Sequence, residues 1–83
     1  MKCDCCGKKK GLLESFEKVK TEHGNLNLCV TCSNLLYKIR DAAHDENQDE
    51  YNALLDELRI RSKNGTPAFE KWFDGYLAKN KID

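Results

Sequence analysis

Five cysteines stand among the 83 residues, and four of them fall into two pairs, Cys3-x2-Cys6 and Cys29-x2-Cys32, separated by 22 residues. Two thiols three positions apart reach one tetrahedral ion through a single tight turn. Two such pairs at this separation are the pattern of a four-thiolate zinc site. Gly7 follows Cys6 directly, which suits a knuckle that turns sharply and aims backbone N–H groups at the sulfurs. Thioredoxin-like exchange also places C-x-x-C at a helix start, but it needs a βαβ scaffold that the short polar segment before Cys29 does not supply. The reading is therefore one structural Zn2+ held by Cys3, Cys6, Cys29 and Cys32. Cys5 has no partner at the same spacing and reads as a spare thiol near the surface. His23, in the turn sequence Glu22-His23-Gly24-Asn25, and His44 add nothing to a site already complete with sulfur.

Composition narrows the remaining chemistry. The chain is 9.5 kDa, enough for one small core, and a domain of this size is marginal without a staple. Lys+Arg and Asp+Glu are 14 each, the wrong balance for a strongly basic nucleic-acid binder. No apolar run approaches the roughly 20 residues of a membrane span, and no signal sequence opens the chain, so no membrane partner is expected. An odd number of cysteines argues against a disulfide framework and for a reducing, cytoplasmic location. There is no Ser/His/Asp grouping and no phosphate-cradling glycine loop. A tetrathiolate also leaves zinc no open position for water, so the protein is read as no enzyme.

The elements that must position the cysteines follow from periodicity. Phe16, Leu26 and Leu28 alternate with polar neighbours on either side of Val19. Two short strands joined by a Gly-Asn turn are predicted. Cys32, Leu35, Leu36, Ile39, Ala42 and Ala43 then recur at helical spacing, predicting a helix from the second pair to about His44. Its positive N-terminal end would lie against the thiolates. The fold class is thus small α+β: knuckle, β-hairpin and helix, the order of a treble clef, over residues 1–44, followed by a helical hairpin over 45–83.

The motifs Cys3-Asp4-Cys5-Cys6-Gly7-Lys8-Lys9 and Leu28-Cys29-Val30-Thr31-Cys32-Ser33-Asn34-Leu35 resemble the N-terminal zinc-binding domain of the ClpX unfoldase, over residues 3 to about 40. The resemblance implies a structural zinc in a module that dimerises and docks adaptors or substrates. No ATPase follows in this chain, and the basic run Lys8-Lys9-Lys10 and the extra Cys5 lie outside the shared pattern.

In the second half, Asn47 and Glu50 form a cap pair before Tyr51, Leu54, Leu55 and Leu58, predicting a helix from about Gln48 to Ser62. Asn64-Gly65 reads as its stop, and Thr66-Pro67 restarts a helix with the stripe Phe69, Trp72, Phe73, Tyr76 and Leu77. Such a stripe is core first, and a partner interface second, through Phe69, Trp72, Phe73 and Tyr76. Residues 1–40 hold eight bases and four acids, whereas residues 41–83 hold six and ten. The leading functional reading is a zinc-stabilised protein-interaction module, adaptor or regulator, that associates with itself or another protein. The alternative is a nucleic-acid-binding finger using Lys8, Lys9, Lys10, Lys18 and Lys20. A third, minor reading is oxidative zinc release through Cys5.

Overall fold

The computed structural model describes residues 1–22 and 24–82. Two strands, β1 (Glu17–Thr21) and β2 (Gly24–Leu28), pair antiparallel with Val19 opposite Leu26 and Thr21 opposite Gly24. Leu26 and Leu28 alternate with Asn25 and Asn27, so one face of β2 enters the core while the other stays polar. The predicted Gly-Asn turn is displaced. Gly24 and Asn25 are strand residues, and the reversal lies between Thr21 and Gly24, whose pairing is closed by the Thr21 hydroxyl donating to the Gly24 carbonyl at 2.6 Å. Keeping Leu26 and Leu28 on the buried face requires this register. His23, placed in that turn from sequence, lies outside the described residues, as does Asp83.

Helix α1 (Val30–His44) buries Cys32, Leu35, Leu36, Ile39, Ala42 and Ala43, the stripe the periodicity predicts. Its N-cap is Cys29, in extended conformation and without a capping hydrogen bond. The chain breaks at Asp45–Asn47, where Glu46 takes φ 57°, and the Asn47 side chain accepts from the Glu50 N–H at 3.2 Å to start α2 (Gln48–Arg61). A 3-10 turn over Ser62–Asn64 leads to α3 (Pro67–Lys79), capped by Thr66, whose hydroxyl accepts from the Phe69 N–H at 3.2 Å. Leu28, Ile39, Leu58, Phe69 and Phe73 form one core with the cysteines. The Tyr76 hydroxyl donates to the Leu36 carbonyl at 2.7 Å and fastens α3 to α1.

The helical run does end at Asn64–Gly65, as the stop signal predicts, but not through a left-handed glycine. The φ of Gly65 is −82°, so it supplies no left-handed cap. It is glycine because the corner between α2 and α3 is pressed onto the knuckle. A Cβ there would stand 2.6 Å from the Cys5 carbonyl oxygen and 2.9 Å from that of Asp4. Beside it, Asp4 joins three parts of the chain. Its N–H donates to the Asn27 carbonyl (2.7 Å) and its carboxylate accepts from the Asn27 N–H (2.6 Å). On its other side it accepts from Thr66, through the main-chain N–H (2.9 Å) and the hydroxyl (3.2 Å).

Two glycines should therefore respond oppositely to the same change. Gly65→Ala forces backbone apart and is expected to destabilise the fold by about 1–3 kcal/mol. Gly75→Ala, inside α3 with open space around it, is expected to stabilise by up to about 1 kcal/mol. Denaturant midpoints of the metal-loaded variants read both; equal signs would refute the packing described for the corner.

Candidate metal centre

Each of the four paired cysteines arrives from a different part of a turn or cap. Cys3 and Cys6 bracket the knuckle, which closes by a Gly7 N–H bond to the Cys3 carbonyl at 2.9 Å, with Gly7 at φ 77°. An L side chain rarely adopts that conformation. Cys29 ends the hairpin and Cys32 sits in the first turn of α1, so the helix begins at the site as expected. The ligand atoms of all four lie within 4.8 Å of one another. Sulfurs held at about 2.3 Å from one tetrahedral ion stand about 3.8 Å apart, and the Cys6 and Cys29 sulfurs are separated by 3.8 Å. The Cys3 sulfur accepts from the Cys6 N–H at 3.5 Å and the Cys29 N–H at 3.3 Å, the main-chain donors that a knuckle offers its thiolates.

Charge tests the fit further. The Arg61 side chain, from the last turn of α2, carries a buried Nε with no hydrogen-bond partner, the one such side-chain atom among the described residues. Its guanidinium is held in the charged form by a hydrogen bond to Cys32 and by the nearby Cys6 and Cys29 sulfurs. A half-buried cation beside four neutral thiols is poorly compensated. Beside four thiolates and a dication, formally −2, it has its counter-charge. Burial pushes the Cys6 thiol up to about 12, and the Cys32 thiol is raised by its hydrogen bond with Cys5 and by burial. Without a metal these two sulfurs hold their protons at neutral pH. An all-sulfur donor set of this shape suits zinc.

Cys5 differs from the spare surface thiol read in the sequence. It is completely buried and touches Cys32, because the Asn64–Thr66 corner covers the knuckle from outside. The sequence carried no sign of this, nor of Asp4 or Arg61 in the site, since their partners lie 23 to 62 positions away. His44 is exposed at the end of α1. The five lysines considered for nucleic acid are all exposed, and Lys8 is paired with Glu14 at 2.9 Å. Of the aromatic stripe, Phe69 and Phe73 are buried in the chain's own core, while Trp72 and Tyr76 are half-buried.

All five cysteines are free thiols, and among the described residues no helix is long and apolar enough to cross a membrane. The chain matches no family model, no curated protein and no solved structure. What the fold and site define is a small α+β protein whose four clustered cysteines can hold a metal ion.

Two outcomes follow from the site's charge. Because Cys6 and Cys32 are protonated in the metal-free protein, zinc must displace their protons. Affinity should therefore rise with pH, and metal added to weakly buffered protein should acidify the solution by at least two protons per chain. Constant pH on loading would contradict this. Arg61→Met is expected to speed metal transfer to a chelator about tenfold or more, with Arg61→Lys falling between it and the parent protein. Identical transfer rates in all three would remove Arg61 from the site.

Proposed function

We propose that the protein is a non-enzymatic, zinc-stabilised interaction module in which the ion is a scaffold. The observation that carries this is the convergence of four cysteine sulfurs, from two turns 22 residues apart, at the spacing of one tetrahedral ion. With all four positions filled by thiolate, the ion has no place for a reacting water or substrate. Its contribution is to folding. Ligation of this kind contributes roughly 10–16 kcal/mol in small zinc domains, comparable with or larger than the whole stability of an ordinary domain. The knuckle–hairpin–helix order supports reading residues 1–44 as a treble clef, and the ClpX-type motif supports a module that binds protein, itself included. Half-buried Trp72 and Tyr76 are the members of the α3 stripe left nearest the surface for such a contact.

Native mass spectrometry tests metal content and assembly together. One zinc per chain, in a dimer or in a monomer that dimerises with concentration, is expected. Cys3→Ser, Cys6→Ser, Cys29→Ser or Cys32→Ser should each abolish stoichiometric zinc, whereas Cys5→Ser should retain it. A chelator should unfold the loaded protein. Metal-free, reduced protein with unchanged circular dichroism would overturn the scaffold reading, and a water ligand on the bound ion would reopen metal catalysis.

A further inference from the structure

Between the knuckle and β1 the chain forms a turn that no part of the metal site uses. Lys2 pairs with Lys9 in an antiparallel bridge, and the Lys10 N–H donates to the Met1 carbonyl at 3.0 Å, laying two lysine-bearing segments side by side. A tight turn follows, with the Glu14 N–H bonded to the Gly11 carbonyl at 3.3 Å. The Glu14 carboxylate locks it by accepting from the Gly11 N–H at 3.1 Å and from Lys8 Nζ at 2.9 Å. The two corner residues are Leu12 and Leu13, with relative exposures of 104% and 100%. Turn corners ordinarily carry Gly, Pro, Asn, Asp or Ser, whose conformational or hydrogen-bonding properties make the turn. Leucine supplies none of these, and here the pair buries nothing. Met1, 61% exposed, is tied to the same tip.

We propose that this turn is a membrane-docking tip, whose leucines enter the interface of an anionic bilayer while Lys2, Lys9 and Lys10 meet the lipid headgroups. Apolar tip and cationic collar are the two signals that reversible surface binding combines. A nucleic acid would engage the lysines and leave both leucines in water. A protein interface needs roughly 800 Å² per partner, far beyond two convex side chains. Glu14, the acid within the turn itself, is offset by its ion pair with Lys8. Helix α1 starts at the metal site and runs 15 residues, about 22 Å, so the acids at its far end, Asp41, Asp45 and Glu46, are carried away from the knuckle that leads into Lys8, Lys9 and Lys10, beyond the ~8 Å screening length. The proposal goes beyond the scaffold reading. It also revises the expectation of no membrane partner, which came from the lack of a spanning run and does not bear on surface contact.

The test is co-sedimentation of the zinc-loaded chain with vesicles of phosphatidylcholine alone or with roughly one-third phosphatidylserine. Partitioning into the anionic vesicles should exceed that into neutral ones about tenfold, and fall as salt is raised. Leu12→Asp/Leu13→Asp and Lys9→Glu/Lys10→Glu should each lower it about tenfold, and Leu12→Ala/Leu13→Ala by a smaller factor. Both leucines are solvent-exposed, so zinc content and circular dichroism should be unchanged, which separates this result from any failure of the scaffold. Wild-type protein that ignores phosphatidylserine would overturn the proposal. So would binding that survives the leucine changes, since that marks a general polyanion site on the lysines alone.

Discussion

Everything in this chain hangs on four sulfur atoms held within 4.8 Å of one another. Two of them come from a knuckle at the start of the sequence, and two from the junction of hairpin and helix. The strands and helices alone offer little to bring those segments together: the sheet has only two strands, and a lone hairpin is marginal in water. A metal ion held by the four sulfurs would replace the missing apolar area with a few strong, directional bonds. It also dictates local detail that would otherwise look arbitrary, such as a helix whose N-cap residue makes no cap and whose side chain serves the site instead.

The negative charge that such a site concentrates is then distributed through its surroundings. Main-chain donors from Cys6 and Cys29 face the Cys3 sulfur, Cys32 sits in the first turn of α1, and Arg61 reaches the site from the last turn of α2. Each is contributed by a different element, so the electrostatics of one small site tie the hairpin, α1 and α2 into a single unit. Glu17 adds a tie of its own, accepting from the Ser33 and Tyr37 hydroxyls and joining β1 to α1.

Much of this was legible residue by residue. The two C-x-x-C pairs named the four cysteines that cluster, the Leu35/Leu36/Ile39 period named α1, and Asn47/Glu50 and Thr66-Pro67 named the caps of α2 and α3. These signals are local: each needs only residues within one turn of helix or strand. What stayed hidden is what depends on distant partners. Cys5 is buried because residues 64–66 cover it, and Asp4 matters because Asn27 and Thr66 flank it. Gly65 looked like a helix stop, whereas its requirement is a shortage of room. Leu12 and Leu13 followed no strand or helix period, and that absence of pattern was the only trace in the sequence of side chains left in water.

The position of Asp4, between Asn27 and Thr66, sets an order of events during synthesis. A chain made from its amino end exposes both cysteine pairs once position 32 has emerged, so the ion can be captured while half the polypeptide is still unmade. The outer side of the knuckle, however, waits for partners 62 residues downstream, and until they appear Cys5 has no cover. Contacts of such long range are the slow ones to form. A chain that takes up a metal at that stage would be loaded but unsealed, with its fifth thiol uncovered until residues 64–66 close over the knuckle.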